Sequence, residues 1–568
     1  MPLSTLPSRL LAELVNAWRV RAVKQGLVGT FLIAVGSLSP AFLPRSTPLW
    51  VWLTPLHANG AAWRTAGTLL TMLGSLVLVD AWFRLRPASL RDDEPSQPWQ
   101  GLRAGFRHWW AEINRPPPVV VGLGQPLACR GWAALFWWSL PLLVAPPVFS
   151  QDAYSYAAQG WIIHNGLDPY AFGPGSLPGG FADQVASEWR MTPAPYGPLS
   201  LRISQLLVAV CGNSPYLSAW AERIPALIGV VMLGVFLPRI ARQMRVDEHF
   251  AAWFALLNPM LVISFIGGAH NDALMMGFVV LGIWVAGRGL IRLRARADPA
   301  TSLRYAQDDG EEGPPVMVES QDPPTARTVP DLLTANLWWV LGAVVIGVGA
   351  TVKQPALLTA LALPLIIRPW KSWAWRDSLV TITRVIVSLA ISTATFILVS
   401  LICNLGFGWV NSVSVPGRSV TVAPFTLFGL AVQHVAGWFG VTLTQAHTIA
   451  LARDVGIGVG VVIIVFLALT LARRRPMAFL AWGYLTAAIA GPALRSWYVQ
   501  WSITLLPLTH LSRMMVRVSV WGILVMFGFD AVFMSMRNSA VAVCVGALMA
   551  MAWVAWNHLP LVKRGRND

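Results

Sequence analysis

Charge is what this sequence most lacks. Only 12% of its 568 residues are Asp, Glu, Lys or Arg, about half the ~25% usual for a soluble domain. No stretch between its apolar runs is long enough to fold as a separate soluble domain, and 55% of the chain is hydrophobic. That combination excludes a water-soluble globular protein and implies a polytopic membrane protein. Cysteine is equally scarce: Cys129, Cys211, Cys403 and Cys544 lie far apart and match no zinc or redox spacing. No phosphate-binding loop is present, and no G-x-G-x-x-G follows a strand, so no nucleotide site is expected. Acidic residues number 26 against 42 basic ones, a formal net charge of +16. The cations cluster beside apolar segments, which reads as membrane topology and attraction to anionic lipid rather than as nucleic-acid binding.

A transmembrane helix needs about 20 mainly apolar residues. Candidate spans lie at 27–44, 63–83, 131–149, 217–238, 249–266, 272–291, 336–352, 380–402, 454–472, 477–494, 518–535 and 539–557. Shorter runs lie at 355–367 and 498–511, and 201–213 and 424–440 read as half-helices or re-entrant pieces. The expected fold is therefore all-α and polytopic, with about 13–15 transmembrane helices and a long outward loop bearing short interfacial helices. Arg84, Arg86, Arg91, Arg103 and Arg107 follow the second run; Arg239, Arg242 and Arg245 follow 217–238; Arg288, Arg292, Arg294 and Arg296 follow 272–291. With Arg473, Arg474, Arg475 and the tail cations Lys563, Arg564 and Arg566, these put both termini on the cytoplasmic side. The 201–238 region must then supply one net crossing, although it holds apolar residues for nearly two.

Four sections follow: N-terminal helices with a cytoplasmic loop (1–130), a core with the outward loop 150–200 (131–296), a linker (297–331) and C-terminal helices (332–568). The first loop holds an expected amphipathic surface helix around Phe106, Trp109 and Trp110. The linker, with Asp308, Asp309, Glu311, Glu312 and six prolines, is too polar to bury a core and reads as disordered. No internal repeat suggests two inverted halves, which weighs against a secondary transporter.

Loop 150–200 is too aromatic for a passive connector. Asp152 stands just past the run 131–149, and Tyr154, Tyr156, Gln159 and Trp161 follow at spacings of a short interfacial helix. A Tyr/Gln-rich surface beside one carboxylate suits sugar stacking and hydroxyl recognition. Tyr196 lies in Pro195-Tyr196-Gly197-Pro198 at the entry to the next helix, and Asp168 in Asp168-Pro169-Tyr170 reads as a turn residue. A second cluster, His270, Asn271 and Asp272, follows Gly267-Gly268-Ala269 between two apolar runs, where three polar side chains need partners. No second His or Cys stands three or four residues away, so zinc is not expected. Lys353 and Gln354 interrupt the run 336–367, and an ionisable residue inside such sequence is a functional candidate. Arg495, Trp497 and Tyr498 mark the end of 477–494, and Arg418 lies in an outward loop; either arginine suits a phosphate diester.

Together these residues resemble the GT-C glycosyltransferases, polytopic enzymes with an acidic residue in the first long outward loop. More closely, QDAYSYAAQG (151–160), NGLDPY (165–170), PYGPL (195–199), Asn258-Pro259, GGAHND (267–272) and VKQPALL (352–358) resemble the polyprenol-phosphomannose-dependent α-1,6-mannosyltransferases of mycobacteria and corynebacteria. The resemblance covers roughly 130–510. It implies a GT-C fold and transfer of mannose from a polyprenyl-phosphate-mannose donor to a lipid-linked mannan or glycolipid acceptor, at the outward face of the plasma membrane. It further implies Asp152 as general base and cations at the donor phosphate, with Lys353 and Arg495 preferred and Arg418 weaker. Tyr154, Tyr156, Gln159, Tyr196, His270, Asn271, Asp272, Gln354, Trp497 and Tyr498 would contact substrate. No cofactor is required; Asp152 and Asp272 could share a divalent cation, but nothing demands one. The competing readings are a GT-C enzyme of another sugar such as arabinose, and a lipid or sugar transporter or flippase.

Overall fold

The computed structural model describes residues 6–39, 43, 47–54, 60–87, 130–244, 246–297, 329–368, 370, 372–412 and 421–536. The expected surface helix near Trp109, the linker 297–331 except its ends, Arg418 and the run 539–557 lie outside those residues. Every regular element among the described residues is helical. The chain is all-α and polytopic, as composition and hydropathy pattern required.

Among the described residues, five helices are long and apolar enough to cross a membrane, or six if one bent pair counts as a single span. Five more apolar helical stretches of 10–17 residues lie among the described residues, one of them, Asn336–Val352, being part of a longer helix. The expected count of 13–15 spans also draws on runs outside the described residues, such as 539–557. The N-terminus shows one difference. Helix α1 (Leu6–Arg19) precedes α2 (Arg21–Gly36), where the hydropathy pattern placed a single span at 27–44. Leu10, Leu11, Val15 and Trp18 form an exposed apolar face on α1, the arrangement of a helix lying at an interface.

Helix α3 (Gly60–Arg84) packs along α2, and α4 (Gly131–Val144) lies against both α1 and α2. Indole N–H groups then tie the apolar helices together without leaving buried donors empty. Trp138 donates to the Val23 carbonyl at 3.0 Å. Trp82 and Trp253 stack at 4.8 Å, and each donates to the other's backbone carbonyl at 2.8–2.9 Å.

After α5 (Asp152–His164) and α6 (Pro198–Val210), helix α7 (Pro215–Gln243) is long and apolar enough to cross the membrane. The run 249–266 is not one straight span. It breaks into α8 (Glu248–Leu256) and α9 (Pro259–Gly267), bent by 47°. The cause is local. Pro259 lacks the N–H that would continue the ladder, and Asn258 fills the gap with its side chain. Its amide donates to the carbonyls of Phe254 and Ala255 at 3.0 and 2.9 Å, and its Oδ1 accepts from Leu261 N–H at 2.8 Å.

Helix α10 (Asp272–Ala297) packs on α7 and on α11 (Val329–Val352). Helices α12 (Leu357–Ile367), α13 (Trp375–Cys403), α14 (Pro424–Trp438), α15 (Gln445–Ala472), α16 (Pro476–Ala490), α17 (Ser496–Leu505) and α18 (Arg513–Met536) complete the bundle. Residues of α13 and α15 present large exposed apolar surfaces, among them Ile402, Val462 and Phe466, as lipid-facing helices do.

Close approach of α7 to α10 depends on Gly229. A Cβ there would lie 2.1 Å from the carbonyl oxygen of Ala273, one residue beyond Asp272. Gly229→Val should lower the thermal unfolding midpoint of the detergent-purified protein. Gly234→Val, on the same helix but facing open space, should leave it unchanged. Equal midpoints for the two variants would contradict this contact.

Candidate active site

Four chain segments end at one place: the start of α5, the turn before α10, the break after α11 and the start of α17. Each is a helix terminus or interruption, where backbone and side chains are not committed to a helical ladder.

Loop 150–200 is ordered by its own small cores. One gathers Tyr154, Phe181, Val185 and Tyr216, and Trp161 stacks on Phe181 at 4.8 Å. A second gathers Ile163, Tyr170 and Leu201. Asp168 is a turn residue, its Oδ1 accepting from Tyr170 N–H at 2.8 Å. Tyr170 then donates to the Tyr196 carbonyl at 3.1 Å. Gly197 lets the end of the loop approach α11: a Cβ would lie 2.1 Å from the Thr351 carbonyl, and Gly197 N–H donates to Val352. Tyr196 is thereby set beside Lys353.

Asp152 opens α5, with its N–H donating to Ser150 Oγ at 3.1 Å. Its Oδ2 lies 3.5 Å from His270 Nδ1, and the Tyr156 hydroxyl lies 3.4 Å from the same nitrogen. His270 is fully enclosed and stacks on Trp497 with ring centres 3.9 Å apart. Burial raises the Asp152 carboxyl above the usual carboxylate range, against the pull of Arg495 and Lys353 and with a smaller push from Asp272. Burial, then Lys353 and Arg495, lower His270 well below its usual value, so its imidazole is neutral near pH 7. Both segments carry backbone strain. Phe149 (φ 60) and Ala269 (φ 56) are non-glycine residues in the left-handed region, each costing on the order of 1–3 kcal/mol.

Asp272 and Lys353 form a buried ion pair. Lys353 Nζ donates to both Asp272 oxygens at 2.8 Å, and Trp501 Nε1 donates to Oδ1 at 2.7 Å. The ammonium also lies 4.3 Å from the centre of the Tyr498 ring and 5.9 Å from that of Tyr196, within cation–π range. Lys353, expected at the donor phosphate, is thus turned onto Asp272. The reason is depth: an amine this enclosed needs a compensating charge more than a distant ligand can provide. Among the described residues no three of His, Cys, Asp and Glu converge as metal ligands.

Two clefts meet at Asp152 and share Trp189, Arg495 and Trp497. The narrower, about 500 Å³, is lined by Ser155, Gln159, Thr192, Tyr196 and Tyr498. The wider, about 1180 Å³, has apolar walls from Phe149, Val422, Leu427, Leu494, Met526 and Phe529. The Arg495 guanidinium lies over both Trp189 and Trp497, 5.9 Å from each ring centre.

Of the sequence-predicted residues, Asp152, Tyr156, Gln159, Tyr196, His270, Asp272, Lys353, Arg495, Trp497 and Tyr498 come together. Tyr154 does not; it points into the loop core toward Tyr216 and Arg223. Asn271 Nδ2 donates to Ser200 Oγ at 3.2 Å, so it braces α6 rather than facing either cleft. Gln354 lines neither cleft. Arg418 lies outside the described residues. Sequence reasoning missed Trp501 as a partner of Asp272, Trp189, and Asp530, whose Oδ2 accepts from Ser496 Oγ in the wider cleft. Asp530 carried a readable signal, since an acidic residue in an apolar helix is exceptional.

Comparison with known proteins follows the same lines. A family described as "Alpha-(1->6)-mannopyranosyltransferase, N-terminal domain" matches residues 23–370. An alpha-(1->6)-mannopyranosyltransferase of Mycobacterium tuberculosis is 31% identical over 384 residues, 64% of this chain and 63% of that protein, so the match spans less than two thirds of that relative. Alpha-(1->6)-mannopyranosyltransferase A of the same organism is 27% identical over 516 residues, 89% of this chain and 84% of its own. Alpha-(1->6)-mannopyranosyltransferase B of Corynebacterium glutamicum is 26% identical over 491 residues, covering 84% and 71%. No solved structure matches the chain.

Asp272→Asn should strand the Lys353 charge and destabilise the protein by about 3–5 kcal/mol. The double variant D272N/K353M should lose less than D272N alone in thermal unfolding. Losses that simply add would contradict a coupled buried pair.

Proposed function

The chain belongs to the alpha-(1->6)-mannopyranosyltransferase family, and from that premise we propose that it moves mannose from a polyprenyl-phosphate-mannose donor to a hydroxyl of a lipid-linked mannan or glycolipid. The reaction takes place at the outward face of the plasma membrane and yields an α-1,6 linkage. One observation carries this reading: a single partly exposed carboxylate, Asp152, sits where a narrow polar cleft and a wide apolar cleft meet beside one arginine.

Asp152 is the general base. Its carboxyl is raised by burial, which makes the ionised form a stronger proton acceptor, as proton abstraction from an alcohol requires. The acceptor hydroxyl enters through the narrower cleft, where Gln159, Tyr196, Ser155 and Thr192 offer hydrogen bonds and an aromatic face. As its oxygen attacks the anomeric carbon of a β-linked mannosyl phosphate, its proton passes to Asp152. The bond from that carbon to the phosphate oxygen breaks, and its electron pair leaves with the polyprenyl phosphate. One displacement inverts the configuration to α.

Arg495 faces the departing phosphate and stabilises the charge that grows there. Lys353 stays with Asp272 and acts at longer range, as part of the field that lowers Asp152. Neutral His270 keeps the carboxylate oriented through Nδ1. The polyprenyl chain lies in the wider cleft. This follows from chemistry: the donor's lipid is bonded directly to the reacting phosphate, so apolar walls must begin within one phosphate of the base. The lipid of a mannan acceptor stands several sugars away and needs no such wall there.

Asp152→Asn is isosteric and removes only basicity, so it should fold normally and lose about 100-fold or more of its turnover. Transfer from radiolabelled polyprenyl-phosphomannose to short mannoside acceptors checks this, and full turnover by D152N would contradict the assignment. The pH dependence has a definite sign. The base works only when ionised, so kcat/KM should fall as pH drops through the raised value of Asp152. Removing the cation that opposes burial, in Arg495→Gln, should move that acid limb to higher pH. An unmoved limb, or one moved to lower pH, would contradict the electrostatic coupling of Arg495 to Asp152.

A further inference from the structure

Arg223 is a buried charge that the mechanism leaves unused. It lies in α7, is 2% exposed, and has no ion-pair partner among the described residues. Its Nε and Nη1 make no hydrogen bond there. Its Nη2 donates to a single acceptor, the carbonyl of Gly267, at 3.2 Å. A guanidinium so placed is expensive, and an apolar side chain of similar size would fill the space at lower cost.

The carbonyl that it holds is a junction. Gly267 O also accepts from the N–H of Val148 at 3.0 Å. Three residues past Gly267 stands His270; four past Val148 stands Asp152. Each of these short arms bends through one strained residue, Ala269 on the first and Phe149 on the second. The arms close again where Asp152 Oδ2 meets His270 Nδ1. Junction, two strained arms and the side chains of Asp152 and His270 form one closed circuit, and Arg223 is the side chain that fixes its far end to α7. Strained backbone persists only where its surroundings hold it; backbone bonds such as Gly268 N–H to the Ile263 carbonyl hold one arm locally, and the guanidinium is the side chain bound at the junction of both.

We propose that Arg223 is a positioning residue for the transfer: by holding the Gly267 carbonyl it sets the separation and orientation of Asp152 and His270. The proposal rests on Asp152 being the base. It assigns Arg223 no contact with substrate, since neither cleft reaches it. Loss of the guanidinium lets the arms relax, and the carboxylate then meets the acceptor hydroxyl out of line.

The test compares Arg223→Met, Arg223→Gln and Arg223→Lys in the full-length purified protein, with unfolding midpoint, kcat and both KM values measured. R223M should keep or raise the midpoint, because it removes an unpaired buried charge. Its kcat should fall about 10- to 100-fold, the range expected when a reacting group is displaced by about an ångström. Both KM values should stay within about twofold. R223Q and R223K keep an N–H donor for the carbonyl and should recover part of the loss. A kcat for R223M equal to wild type, or a midpoint that falls in step with kcat and is not rescued by R223K, would overturn the proposal. If R223M does not fold, kcat per folded molecule of R223Q and R223K decides the matter, and wild-type values in both would overturn it. A wild-type protein that transfers no mannose refutes the proposed reaction itself, whereas an active wild type with an equally active R223M refutes only the role of Arg223.

Discussion

The site depends on one interaction, the buried ion pair between Asp272 and Lys353. Each charge alone would be costly at that depth, and together, with the Trp501 indole as a third partner, they make a nearly neutral unit. The pair joins residues 81 positions apart and thereby fixes the start of α10 against the break after α11 and the start of α17. Most of the site's other groups are set against Asp152 by those three ends. His270 precedes Asp272 by two residues, Tyr196 and Tyr498 lie beside the ammonium, and Trp497 stacks on His270.

That frame separates the duties of the charged groups. Lys353 and Asp272 hold the structure and tune the field, leaving Asp152 as the carboxylate on both clefts and Arg495 as the cation beside it. Two clefts of opposite character that share one carboxylate suit a reaction between a lipid phosphate and a sugar hydroxyl. A donor whose leaving group is already a lipid phosphate calls for an apolar cleft and one well-placed cation, in keeping with a sequence that has no nucleotide-binding motif.

Much of this was legible in the sequence, and the reasons are specific. Asp152 stood out because a carboxylate directly after an apolar run has few structural duties there. His270, Asn271 and Asp272 stood out because polar side chains at a helix junction must find partners, and Lys353 because a charge interrupts an apolar run. What the sequence could not give is who pairs with whom. Lys353 reads as a phosphate ligand until Asp272 is seen against it. Tyr154 and Tyr156 look alike in a row, yet α5 turns one into the loop core and the other toward His270. The fracture at Asn258-Pro259 was visible as a dipeptide, but its effect on a long apolar run depends on how the Asn258 amide caps the broken ends. Arg223 and Asp530 are harder to see for a simpler reason: each lies inside an apolar run long enough to pass for a membrane span, whose length masks the single charge within it.

The central claim is a single inverting displacement driven by one carboxylate. It is tested most directly by the linkage and anomeric configuration of the product formed by the purified full chain from a β-mannosyl phosphate of a polyprenol and a short mannoside acceptor. Nuclear magnetic resonance of that product should show an α-1,6-mannosidic bond. A β-linked product, which would require net retention, or the absence of any new glycosidic bond, would contradict it.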